Sequence, residues 1–275
     1  MGQIDDENFG VSGIEKNFDN YLKTNTEPLT MTLDKEIQFL VRQELLNSEK
    51  IFKNVGSASI LMNINNGEIL SLVSLPDFDI NKRNNISDKK YLNRATKGVY
   101  EFGSVFKTFT IAAGFDEKLI EPKDMFNNLE KKINCGGRTI SEYDEDLSQN
   151  LSVEEILIKS GNIGSVKIGQ KLGVDKIKNF LTRIGILSDI EFDIPEIGKP
   201  IPFSWGKCKL LTVSFGHGIT TTLIQLAKGY AIISNGGYDI TPTLIKDKNI
   251  GYEKKKRVLS KDVCLLYTSP SPRDP

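Results

Sequence analysis

The chain has 275 residues with 36 basic and 36 acidic side chains, a net charge of zero that gives no signal for a polyanionic partner; no nucleic acid is expected. Three cysteines without a Cys-x-x-Cys pair, and a single histidine, argue against a tetrahedral metal site, so neither a metal nor another cofactor is expected. The cysteines indicate no disulfide framework, yet they do not exclude an oxidising compartment.

No stretch approaches the roughly 18 apolar residues of a membrane span, and the acidic start MGQIDDENFG is not a signal peptide. Met1 could equally be an internal methionine of a longer protein. Residues 1–30 are polar and rich in Asn, Asp, Gly and Thr, as in a linker or the end of a preceding domain. Ile37, Leu40, Val41 and Leu45 then recur at helical spacing, with Thr32 or Asp34 available as a cap. Two β-prone runs flank Asn65-Asn66-Gly67, which predicts a hairpin. ISDKKYLNRATKGVY is irregular, and a helix follows from Ser104 to Lys118 with Phe102, Phe106, Phe109 and Ala113 on one face.

Ser152-x-x-Glu155 forms a capping box for a short helix running into Ser160-Gly161-Asn162. Helical patterns return at 163–172 and 175–184, separated by Gly173 and ended near Gly185. After a proline-rich connection, Thr222-x-x-Gln225 caps another helix that stops at Asn235-Gly236-Gly237, and ITPTLIKD could add a strand. The basic run YEKKKRVL at 252–259 suits a solvated loop. A hairpin followed by many helices predicts an α+β domain with helices packed on an antiparallel sheet. The domain is expected to occupy residues 31–263; the last twelve residues, 264–275, resemble translated adapter sequence and are expected to be non-native.

Ser-x-x-Lys occurs at Ser87–Lys90, Ser104–Lys107 and Ser204–Lys207. Only Ser104–Lys107 opens an apolar-faced helix, where three-residue spacing puts both side chains on one face. Gly103 permits a sharp entry, and the helix N-terminus places partial positive charge beside the serine. Among Phe102, Phe106 and Phe109, Lys107 can be desolvated enough to lose its proton near neutral pH, setting a general base beside a nucleophile. The bare stretch also fits a capping serine and a solvated lysine. Ser160 and Asn162, at a junction of two helices, could relay a proton and bind a substrate amide. His217 lies between two glycines, and with no Gly-x-Ser-x-Gly elbow around Ser104 it is expected to be a loop histidine.

Four blocks carry a resemblance: GVYEFGSVFKTFTIAAGF, KSGNIGSVKIGQKLG, EIGKPIPFSWGK and TVSFGHGITTTLIQLAKGYAIISNGG. In order and approximate spacing they resemble class B penicillin-binding proteins of the septal, FtsI-like type, and residues 8–263 share the likeness. The resemblance implies the penicillin-binding transpeptidase fold shared with serine β-lactamases. It implies Ser104 as the acylated nucleophile, Lys107 as its base, Ser160 as a proton relay and Asn162 as a hydrogen-bond partner of the donor peptide. The implied substrates are peptidoglycan stem peptides, with β-lactams as inhibitors. The implied setting is the periplasmic side of the inner membrane among divisome membrane proteins.

The third motif of that family, Lys-Ser/Thr-Gly, is absent from the chain, as are its membrane anchor and most of its pedestal domain. An internal fragment, incomplete at the C-terminus and inactive by itself, is therefore expected. Other readings are a serine β-lactamase or a D,D-carboxypeptidase and, from a different class, a non-catalytic division scaffold or a β-lactam sensor.

Overall fold

The computed structural model describes residues 2–79, 91–246 and 256–268. In chain order these form α1 (Gly13–Asn17), α2 (Asp19–Thr24), α3 (Lys35–Phe52), the strands β1 (Ser57–Met62), β2 (Ile69–Leu75) and β3 (Val99–Tyr100), and a 3-10 turn (Gly103–Phe106) leading into α4 (Lys107–Asp116). Short strands β4 (Met125–Phe126), β5 (Lys132–Cys135), β6 (Arg138–Ser141) and β7 (Leu151–Ser152) follow. Then come α5 (Val153–Ile158), α6 (Asn162–Arg183), α7 (Lys207–Val213), β8 (Thr221–Thr222), α8 (Leu223–Ser234) and α9 (Lys261–Leu265). The chain divides into two compact units. The first takes residues 1–99, 189–199 and 222–258; the second takes 100–188, 200–221 and 259–275.

In the first unit β1 and β2 pair antiparallel from Ser57↔Leu75 to Met62↔Ile69. Gly67, at φ 82°, closes the predicted hairpin in a conformation that carries no steric cost for glycine. Strict alternation puts Ile69, Ser71, Val73 and Leu75 on the buried side of β2. Helix α3 begins as predicted, with the Asp34 side chain accepting from the amides of Glu36 and Ile37. It packs on the hairpin through a polar clamp. The Gln38 carboxamide accepts from Leu72 N (2.9 Å) and donates to Leu72 O (2.8 Å). That contact turns Leu40 outward to 61% exposure, so the expected apolar stripe is only partly inward.

Ile14, Ile69, Ile194 and Leu244 form one buried apolar cluster of this unit. The stretch ITPTLIKD does not become a named strand among the described residues. It makes isolated bridges, Thr243 with Glu68 and Ile245 with Met31. Thr222 and Gln225 form the predicted capping box of α8.

In the second unit α4 packs against α6, burying Phe106, Phe109, Ile111, Ile163, Val166 and Ile168. A Cβ at Gly169 would lie 1.8 Å from Ser214 Oγ, so only glycine allows the close approach of α6 to the end of α7. Gly173 (φ 77°, ψ 171°) interrupts α6 where two helices were predicted. The hairpin β5–β6, which the sequence reading left out, turns at Gly136-Gly137 and pairs Lys132↔Ser141 through Cys135↔Arg138. Cys135 and Cys208 are joined by a disulfide, with Cα atoms 5.4 Å apart, although no disulfide framework was expected. Of residues 264–268, at the start of the expected non-native tail, Cys264 is buried and the Tyr267 hydroxyl donates to Thr108 O at 3.1 Å.

Candidate active site

Gly103, at φ 58°, turns the chain into the 3-10 segment that precedes α4. This entry leaves Ser104 exposed and carries Lys107, one turn later, into the interior with 1% of its surface accessible. The two residues share one face, as the spacing predicted. The contact between them is 3.2 Å, from Lys107 Nζ to Ser104 Oγ.

The turn between α5 and α6 supplies the rest. Ser152 and Glu155 form the capping box that starts α5, and the helix stops when Ser160 adopts φ 58°. Non-glycine residues rarely occupy this left-handed conformation. Here it presents both Ser160 oxygens to one amine: Lys107 Nζ donates to Ser160 Oγ at 2.9 Å and also to Ser160 O. The ammonium thus has three acceptors, one for each of its protons. Burial nevertheless disfavours the charge, and desolvation lowers the Lys107 pKa from 10.5 to about 8, partly opposed by the Glu142 carboxylate. A substantial neutral fraction therefore exists close to physiological pH.

Ser104, Lys107, Ser160 and Asn162 line one cleft of about 380 Å³, together with Glu142, Lys159 and His217. The Asn162 carboxamide donates to Ser141 O at 2.8 Å. Arranged in this way, the cleft can expose a hydroxyl to an incoming carbonyl, accept its proton at a buried amine and return that proton through a second hydroxyl.

The family described as the penicillin binding protein transpeptidase domain matches residues 57–266. The chain belongs to this family. The "Probable peptidoglycan D,D-transpeptidase FtsI" of Caulobacter vibrioides is 29% identical over 266 residues, covering 94% of this chain and 45% of the relative. Peptidoglycan D,D-transpeptidase FtsI of Buchnera aphidicola is 28% identical over 305 residues, covering 99% of this chain and 52% of its own. The chain thus spans about half the length of these relatives. Among solved structures, penicillin-binding protein 3 of Mycobacterium tuberculosis complexed with aztreonam superposes with a TM-score of 0.82 at 22% identity. That match covers 96% of this chain and 63% of the other, and the fold is the α+β penicillin-binding transpeptidase fold expected from the sequence.

Within this transpeptidase fold the other serine–lysine pairs stand apart. Ser204 lies in a segment without regular secondary structure, outside the cleft, and Lys207 is exposed at the start of α7, while Ser87–Lys90 falls outside the described residues. His217 lies in a loop after α7, largely exposed, stacked on Phe215 and 3.9 Å from Glu101. Among the described residues no three or more His, Cys, Asp or Glu side chains cluster as metal ligands would. Sequence reasoning missed Glu142, whose carboxylate accepts from the amides of Asn162 (2.5 Å) and Ile163 (2.8 Å). It lies 20 residues before Asn162, beyond any local capping pattern; the only hint was the Gly136-Gly137 turn that joins the two strands of its hairpin.

Proposed function

We propose that this cleft is the acyl-transfer site of a peptidoglycan D,D-transpeptidase that cross-links stem peptides at the division septum. The observation that carries the reading is the placement of the buried Lys107 amine between an exposed Ser104 hydroxyl and the Ser160 hydroxyl. With Nζ neutral, Ser104 O–H donates to it as Oγ attacks the carbonyl carbon of the D-Ala–D-Ala bond. The proton passes from Nζ through Ser160 to the departing amine; the C–N bond breaks and D-Ala leaves. The amine of a neighbouring stem peptide then attacks the ester, its proton returns to Ser104 Oγ, and the cross-link forms. A β-lactam enters the first half of this sequence: its ring C–N bond opens, and the nitrogen that takes the proton stays tethered. Asn162 is assigned to the donor-peptide amide.

The resemblance supports placing the parent protein on the periplasmic side of the inner membrane, with divisome membrane proteins as partners. The Cys135–Cys208 disulfide suits such an oxidising compartment. No described helix is long and apolar enough to cross a membrane.

Labelling the full-length protein with fluorescent penicillin and mapping the adduct by mass tests the reading. A persistent adduct on Ser104 is the expected result; an adduct on Ser87 or Ser204 would overturn the assignment. Rapid drug turnover would identify a β-lactamase, and absence of an adduct a scaffold. A stable adduct without cross-linking of stem peptides would point to a sensor.

A further inference from the structure

We propose that Glu142 is a positioning residue for this chemistry, its carboxylate clamping the first two amides of α6 so that Ser160 and Asn162 are held toward Lys107 and the cleft. The inference rests on the reading of the cleft as an acylation site. A helix leaves its first amides without internal partners, and a capping side chain normally supplies one. At α6 the N-cap position is Gly161, which has no side chain to offer. Glu142 supplies the missing acceptor from the end of another element: Oε2 accepts from Asn162 N at 2.5 Å and Oε1 from Ile163 N at 2.8 Å.

The neighbouring residue completes the grip. Ser141 O accepts from the Asn162 carboxamide at 2.8 Å, so the end of β6 holds both the backbone and the side chain of Asn162. Immediately before it, Ser160 sits at φ 58°, a conformation that persists only where its surroundings impose it. One carboxylate therefore fixes the turn on which both Lys107–Ser160 contacts depend. Its charge adds a second effect. Glu142 favours the ammonium form of Lys107, against the burial that disfavours it. The other titratable side chains lining the cleft are Tyr143, Asp144, Lys159 and His217, with Glu101 beside His217.

The test uses penicillin acylation of the full-length protein across pH, in wild type, Glu142→Gln and Glu142→Asp. The Gln variant keeps the shape but loses the charge and one acceptor oxygen. It is expected to acylate about 10- to 100-fold more slowly, as displaced reacting groups do. Its pH profile should move toward acid, because the carboxylate that favoured the Lys107 ammonium is gone. His217, Asp144 and the remaining cleft groups are common to both proteins, so the difference between profiles isolates Glu142. Glu142→Asp should restore the wild-type midpoint.

A wild-type rate and midpoint in a folded Glu142→Gln protein would overturn the proposal. A wild type that never acylates at Ser104 would instead overturn the functional reading. One measurement needs no variant. In wild type, the Asn162 and Ile163 amides, bonded to the carboxylate at 2.5 and 2.8 Å, should be protected from exchange with solvent, and fast-exchanging amides would overturn the clamp.

Discussion

Ser104–Lys107 and Ser204–Lys207 share a spacing and almost nothing else. The first pair spans a 3-10 turn into α4, with the serine exposed and the lysine 1% accessible between two serine hydroxyls. The second spans an irregular connection into the start of α7, and both of its residues are exposed. Chemistry follows from the backbone between the two letters. A helical turn stacks positions three apart, whereas an irregular segment imposes no such pairing. Burial then brings deprotonation of the Lys107 amine down toward physiological pH. The second segment does other work, since Cys208, next to Lys207, is bonded to Cys135 on the hairpin that ends at Ser141 and Glu142.

The sharpest way to break this contrast is to make the same substitution in both segments. Lys107→Arg keeps a positive charge but cannot release a proton at any usable pH. Loss of a general base typically costs about 100- to 10,000-fold, so penicillin acylation of the full-length protein should fall by that order. Circular dichroism should remain unchanged. Lys207→Arg should leave the rate as it was. Equal behaviour of the two variants would mean that burial of Lys107 has no catalytic meaning.

A smaller effect tests the second segment as an anchor. The disulfide closes a loop of 73 residues, which in the chain-entropy account stabilises the fold by about 4 kcal/mol. Cys135→Ser with Cys208→Ser should therefore lower the melting temperature by roughly 10 °C. An unchanged melt would show that the tether contributes nothing to the folded state.

What the sequence revealed, and what it hid, divides along the same line. Asn65-Asn66-Gly67, the Ser152–Glu155 and Thr222–Gln225 boxes and Gly173 act within a few residues of themselves, so their signals survive in a linear string. Ser104 and Lys107 were legible because one helical turn connects them. That Ser160 delivers two oxygens to Lys107 depends on a left-handed backbone at a serine, which no spacing rule anticipates. Glu142 and the Cys135–Cys208 bond join residues 20 and 73 positions apart. Such pairings are set by how β5–β6 folds back, and only Gly136-Gly137 marked that hairpin. The exposed Leu40 has a similar origin: its helix face was chosen by the Gln38 clamp on β2, a contact invisible to hydrophobic periodicity.

The smallest effect is also the most specific to Lys107. With a pKa of about 8, roughly one tenth of the amine is neutral at pH 7 and nine tenths at pH 9. Acylation measured at constant drug concentration should rise about tenfold across that interval and flatten above it, because only the neutral amine can take the Ser104 proton. Stability carries the same sign. Below about pH 8 the folded and unfolded chains both hold the proton and the cost of burying the charge is complete. Between about 8 and the ordinary 10.5, the unfolded chain keeps a proton that the folded one has released, so stability rises with pH through this window. Lys107→Arg removes that increment, and the difference between its pH–stability curve and that of wild type isolates it from every other titrating group. A flat acylation profile from pH 7 to 9 would mean that burial does not set the protonation of Lys107 across this range, and the contrast between the two segments would lose its physical basis.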